Sequence, residues 1–390
     1  MNGRWAEILG AGLDPSEREL VAAAAGLVPL LAGNAARADT ERRIPAENLD
    51  GLRTAGLLRV TVPQAFGGHG AGLRALVAVC AELGRGCAST AWVTSLYGGG
   101  GWLTSMLADT VREQVWADSP DVPVCGAIGV PQPARRVPGG YRLDGRWGWI
   151  SGIRHAGWVG LDVLAEPAAR GLAFVPVDAV RVEDTWDMAG MRATASDTAV
   201  AEDLFVPDDR MLWFAAAAAG AYRRDEVGTR LAFPVSVMVP LIAPILGLGI
   251  GLYDHVAGIL GAGRPVTSGS RMHALARDTP GVQANVVDAA VLIEDALLRV
   301  AWLAGELDRA AAAGVILPEP NAVRTRVDLA VAARSVRRAA DKLLDVSGAS
   351  RFASTDPAQR MWRDLGTATR HPAFVAEVNR ERYGQLLVGG

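Results

Sequence analysis

Arg360, Asp364, Thr367 and His371 recur at intervals of four, three and four residues, the period that gathers side chains on one face of a helix. Arg360 and Asp364 can pair across one turn. His371 precedes Pro372, which disfavours helical geometry and puts the imidazole near a helix end. Exposed carbonyls at such an end favour the imidazolium, so the expected chemistry is proton transfer near neutral pH. His371 is the leading titrating candidate among five histidines. His69 sits in a glycine turn, and His155, His255 and His273 stand in no comparable pattern. Cys80, Cys87 and Cys125 make an odd count without a CxxC pair, so neither a disulfide framework nor a zinc site is expected, and a reducing cytoplasm fits. The run GLGIGL from Gly247 lacks the GxGxxG spacing of a dinucleotide loop.

Two or three structural units are the natural expectation for 390 residues. Pro15-Ser16-Glu17 opens a helical run with Leu20, Val21, Ala24, Leu27, Leu30 and Leu31 at helical spacing. From Val122 to about Pro207 the period becomes that of short strands punctuated by Pro and Gly. Helical periodicity then returns through Ala322–Val346 and Pro357–Leu387. Leu231 to Tyr253 carries no charge and is long enough to span a bilayer. Its three prolines and alternating glycines favour the centre of a helical bundle over a membrane span. A net charge of −3 without basic blocks argues against nucleic acid as a partner.

Several segments resemble one family. Ile44-Pro45 through Gly56, then Val62-Pro63 and Phe66-Gly67-Gly68, resemble the opening helix and glycine turn of the acyl-CoA dehydrogenase superfamily. Gly84–Val93, GRGCASTAWV, is similar to its two-component (group D) flavin-dependent monooxygenase branch. So is Trp186–Thr194, WDMAGMRAT, although Ala193 and Ala195 stand where that branch usually has glycine. Gly145–Gly152, GRWGWISG, resembles the flavin-facing strand, whose Trp-Ile-Thr/Ser triplet is here Trp149-Ile150-Ser151. Ser347-Gly348-Ala349-Ser350 resembles the small-residue loop near the flavin, and Pro357 to His371 the helix ending beside flavin and substrate.

The resemblance covers the whole chain and implies an α+β fold of acyl-CoA dehydrogenase type. That fold comprises an N-terminal helical domain (1–117), a small antiparallel β-barrel (118–212) and a C-terminal four-helix bundle (213–390). It implies flavin contacts from Trp149, Ile150, Ser151, Thr194, Ser347, Gly348 and Ala349. Arg264 and Gln283 are looser matches to phosphate contacts made with a neighbouring subunit. Ser151 would hold the N5 edge, and His371 would act as a base toward the substrate. Trp92, Tyr97, Gly100 and Gly101 would line the substrate cavity, which the Gly98–Gly101 run would enlarge. A homotetramer is expected, because the apolar Leu231–Tyr253 stretch is taken to need more burial than a monomer provides.

The dehydrogenases of the family remove a proton with a carboxylate. In register after Arg363-Asp364, the expected Tyr-Glu positions fall on His371 and Pro372, and the alternative position near Val237 lies in a stretch without acids. The resemblance therefore implies oxygen chemistry instead. A reduced flavin, FMN or alternatively FAD, would come from a separate NAD(P)H:flavin reductase and react with molecular oxygen to a C4a-hydroperoxyflavin. The product would be a hydroxylated or N-oxygenated bulky small molecule of natural-product type, as in antibiotic biosynthesis. The competing expectations are an acyl-CoA desaturase and a non-redox member of the same fold.

Overall fold

The computed structural model describes residues 2–266 and 272–389. Helices α1 (Asn2–Gly10), α2 (Pro15–Glu41), α3 (Ala46–Thr54), α4 (Leu73–Gly86), α5 (Ala88–Ser105) and α6 (Asp109–Trp116) come first. A reciprocal cap starts α2: Asp14 accepts the Glu17 N–H and Glu17 accepts the Asp14 N–H. Its buried stripe Leu20, Ala24, Leu31, Ala35 and Ala38 faces α4. Helix α5 is buried almost all round, which makes it the post against which the other units assemble.

Strands follow as β1 (Val124–Val137), β2 (Gly140–Ile150), β3 (Trp158–Ala165), β4 (Ala169–Pro176), β5 (Arg181–Glu183), β6 (Asp197–Pro207) and β7 (Met211–Trp213). They form one sheet in the order β5-β6-β2-β1-β3-β4-β7. The sheet is mixed rather than antiparallel throughout, because β1 and β3 run parallel. A register shift between Trp147 and Ile150 marks a bulge in β2, after which Ile150 faces Asp197 of β6.

The remaining helices are α7 (Phe214–Ala218), α8 (Val235–Met238), α9 (Ala243–Gly261), α10 (Pro280–Ala312), α11 (Glu319–Ser347), α12 (Pro357–Ala368) and α13 (Ala376–Val388). Helices α9, α10 and α11 pack about one another, and α13 lies against α11. The uncharged Leu231–Tyr253 stretch becomes α8, a 3-10 turn at Val239–Ile242 and most of α9. Two helices among the described residues are long and apolar enough to cross a membrane, Pro15–Glu41 and Val235–Gly261, and the apolar window of the second is 89% buried inside this chain. Its glycines explain how. A Cβ at Gly247 would sit 2.3 Å from the Ala81 carbonyl, and one at Gly251 would sit 2.7 Å from that of Arg85, so α9 and α4 touch backbone to backbone. The inference of a tetramer from this segment therefore fails: one chain already buries it.

Candidate active site

The bulge in β2 sets the geometry. Trp147 and Trp149 are two residues apart, and a regular strand would place both on one face. Instead Trp149 has φ +67°, and the extra residue turns its indole outward. Trp147 is buried while Trp149 is 68% exposed. The Trp149 ring meets Trp186 edge-on at 5.3 Å. Trp186 is fixed from behind by Asp197, whose carboxylate accepts the N–H groups of Thr185 (2.9 Å) and Trp186 (3.1 Å) and pairs with Arg154.

Beyond the bulge, the antiparallel register brings Ser151 opposite Ser196. Their hydroxyls lie 2.7 Å apart, and Ser196 lies 2.7 Å from the Thr194 hydroxyl. Thr194 donates in turn to the Met191 carbonyl at 2.8 Å. All three hydroxyl residues are buried. Met191 adopts φ +55°, and its N–H donates to Asp364 of α12 at 2.5 Å. Gly190 permits that contact, since a Cβ there would fall 2.1 Å from the Arg363 carbonyl. Asp364 thus holds the Met191 turn rather than pairing with Arg360, and burial pushes its carboxyl up to about 6. Arg363 pairs instead with Asp39 at 2.7 Å.

Helix α5 joins this strand to His371. Tyr97 donates to the Gly152 carbonyl at 2.7 Å, and Trp92, about one turn earlier, meets the His371 ring edge-on at 5.4 Å. Gly152 has φ +77° and no room for a side chain, because a Cβ would meet Val93 at 2.6 Å. His371 differs from the imidazolium anticipated at a helix end. It lies beyond α12 in a turn where its Nδ1 accepts the Ala373 N–H at 3.2 Å. Burial drives the ring down to about 4, so it is neutral at pH 7. With the Nδ1 lone pair engaged, the ring proton resides on Nε2. Such a ring is a hydrogen-bond donor and a poor base.

The four consecutive glycines also have a different meaning from a widened pocket. A Cβ at Gly98 would meet Leu76 at 2.5 Å, at Gly100 the Val124 carbonyl at 2.0 Å, and at Gly101 the Thr61 hydroxyl at 2.6 Å. These three serve close packing, so Gly100 and Gly101 are not cavity-lining positions. Tyr97 is likewise a buried strut whose hydroxyl is engaged with the backbone. Gly99 alone among them is buried with nothing within 4 Å of an added Cβ. It lies seven residues from Trp92 and three from Leu96, on the same helical face.

Near the C-terminal end of α11, Ser347 donates to the Leu343 carbonyl, and Gly348 adopts φ +71° and ψ 176°, a conformation essentially reserved for glycine. Ala349 opens the following 3-10 turn. Arg264 donates to the Val346 carbonyl at 2.6 Å, so it stands beside this loop of its own chain. Gln283 is exposed on the first turn of α10, and its amide donates to the Arg277 carbonyl at 3.0 Å.

Known proteins share this sequence pattern and fold. Residues 15–115 match the acyl-CoA dehydrogenase N-terminal domain and residues 241–376 its C-terminal domain. The chain is 30% identical over 391 residues to the oxygenase component of an FADH2-dependent resorcinol hydroxylase from Rhizobium sp., covering 95% of this chain and 94% of that one. It is 29% identical to the flavin-dependent monooxygenase oxygenase subunit HsaA of Rhodococcus jostii, covering 92% and 95%. The solved structure of XiaF from Streptomyces sp., in complex with FADH2 and glycerol, superposes with a TM-score of 0.89 at 30% identity over 96% of both chains. The chain belongs to the flavin-dependent monooxygenase branch of the acyl-CoA dehydrogenase superfamily. A flavin is therefore its cofactor, and the residues present fit one. Trp149 offers a wide exposed aromatic face, and the buried Ser151 hydroxyl terminates a hydrogen-bond chain a residue or two away.

Trp186 and Met191 fall inside the WDMAGMRAT segment and Asp364 inside the Pro357–His371 segment, whereas Ser196 carries no motif of its own. The helical spacing offers Asp364 as a partner for Arg360, and the contact it makes with the Met191 N–H follows only from packing of α12 on that turn. Ser196 follows the WDMAGMRAT segment, but its place opposite Ser151 depends on the register after the bulge.

Proposed function

We propose that this chain is the oxygenase of a two-component system that accepts reduced FMN, or FAD in its place, from a separate NAD(P)H:flavin reductase. It hydroxylates a bulky phenolic aromatic of natural-product type, or oxygenates an amine, using molecular oxygen. The observation that carries this reading is the pairing of a hydroxyl-terminated strand at Ser151 with a neutral His371 and no carboxylate in either position a dehydrogenase would use.

The flavin, when bound, supplies the electrons and activates dioxygen. Trp149 would form the wall against it, whereas the Ile150 side chain is fully buried and could only support that wall from behind; the Ser151 hydroxyl would accept a hydrogen bond from the N5 edge with Thr194 behind, and Gly348 and Ala349 would let backbone approach it. Arg264, beside that loop, and Gln283 serve its phosphate-bearing tail. The Nε2–H of His371 donates to the oxygen or nitrogen of the substrate and orients it, in place of the base role that spacing suggested. Trp92, Leu96 and the open space at Gly99 supply an apolar wall that excludes water. A phenolic substrate is supported by the resorcinol hydroxylase relationship. A homotetramer remains the preferred assembly on different grounds: Val287, Val291, Leu298 and Trp302, spaced four, seven and four apart on α10, form an exposed apolar stripe.

The test is anaerobic mixing of the chain with chemically reduced FMN or FAD, followed by isotope-labelled dioxygen and a panel of phenols and aromatic amines. Incorporation of label into one of them is expected. Bleaching of oxidised flavin by an acyl-CoA thioester, with no label incorporated, would establish the dehydrogenase reading instead.

A further inference from the structure

The hydroxyls of Ser151, Ser196 and Thr194 form a chain whose direction is fixed at its far end. The Met191 carbonyl can only accept, and it receives the Thr194 N–H (3.1 Å), the Thr194 hydroxyl (2.8 Å) and the Trp186 Nε1–H (3.0 Å). Each hydroxyl carries one hydrogen. Thr194 gives its hydrogen to Met191, so across the 2.7 Å contact Ser196 must be the donor to Thr194. Having used its hydrogen, Ser196 must accept from Ser151 across the next 2.7 Å contact. Ser151 is left with lone pairs alone. Reversing the chain would set two lone pairs against each other between buried groups, which forfeits a hydrogen bond.

We propose that this one-way chain makes Ser151 a pure acceptor and thereby selects the reduced form of the cofactor, with Ser196 and Thr194 as the positioning residues. The inference rests on the flavin-facing role of Ser151 given above. Reduced flavin carries a hydrogen on N5 and donates there; oxidised flavin has a lone pair on N5 and needs a donor. A Ser151 that cannot donate satisfies the first and leaves the second without a partner in a buried site. The chain runs away from the cofactor into the Met191 turn, which Asp364 holds from α12, so the preference is built into the junction of sheet and bundle.

The experiment measures binding of reduced and oxidised FMN separately, by anaerobic titration, and the midpoint potential of the bound flavin, none of which requires turnover. Wild type should bind reduced FMN more tightly than oxidised. Ser196→Ala frees the Ser151 hydrogen, and Thr194→Val removes the group that fixes the direction. Each should cut the reduced-over-oxidised preference about tenfold, which lowers the potential by about 30 mV for a two-electron couple. Thr194→Ser keeps the donor to Met191 and should restore the wild-type ratio, a rescue that loss of packing alone would not give. Unchanged ratios in folded Ser196→Ala and Thr194→Val overturn the inference while leaving the flavin site standing. Failure of wild type to bind either form overturns both.

Discussion

Alanine at Gly99 and at Gly100, adjacent positions in the same helix, should have opposite effects. In the interior of α5 each substitution gains about 1 kcal/mol of helix propensity over glycine. At Gly99 the new methyl meets nothing within 4 Å, so that gain stands and the variant should be about 1 kcal/mol more stable than wild type. At Gly100 the methyl would lie 2.0 Å from the carbonyl oxygen of Val124, a strand backbone atom that cannot turn aside. Over-packing of this kind costs about 1–3 kcal/mol and more where backbone must move, so Gly100→Ala should be destabilised on balance. Guanidinium denaturation followed by circular dichroism reads the difference. A functional arm uses Gly99→Leu, which should fill the space beside Trp92 and Leu96, depress oxygenation of the larger phenols and leave reduced-FMN affinity near wild type. Equal stabilities of the two alanine variants would refute the packing argument. Undiminished turnover of bulky substrates by Gly99→Leu would remove that space from the substrate site.

Ala195 has φ +40°, a left-handed conformation that costs a Cβ-bearing residue about 1–2 kcal/mol, so Ala195→Gly should raise the denaturation midpoint by the equivalent of up to about 1 kcal/mol. Tyr97→Phe leaves the buried Gly152 carbonyl without its donor and should cost about 1–3 kcal/mol, read in the same denaturation assay; a neutral result would mean that water replaces the hydroxyl. His371 has its ring pushed down from 6.5 to about 4, so the unfolded chain takes up a proton there before the folded one does. Its contribution is complete above pH 6.5 and is lost as pH falls toward 4, whereas Asp308 and Asp364, raised to about 6, work the opposite way over that range. His371→Gln, which keeps an acceptor for the Ala373 N–H, should therefore lose less stability than wild type between pH 7 and 5. Parallel melting-temperature curves for the two proteins would contradict that sign.

The order of helical, strand and helical segments was open to reading in the sequence because each follows from local periodicity: the Leu20–Leu31 spacing, the short strands punctuated by Pro and Gly, and the apolar stretch before Tyr253 all act over a few residues. The triplet Trp149-Ile150-Ser151 and the Arg363-Asp364 pair are recognisable through their resemblance to the family's motifs, as is the lack of a carboxylate at His371 or Pro372, where the dehydrogenases' Tyr-Glu would fall. What tertiary structure decided were the contacts between segments distant in sequence. A one-residue bulge turned Trp149 outward where alternation would have matched it with Trp147, and the same shift set Ser151 against Ser196. Four glycines that look alike in sequence were divided by what lies opposite each: a leucine, open space, a strand carbonyl and a threonine hydroxyl. His371 changed from cation to neutral donor because spacing reports a helix end, but only the packed fold determines how much water reaches the ring. Periodicity is a property of neighbours in the chain, whereas burial and register are set by the partners a segment meets, and the chemistry of this site depends on the second.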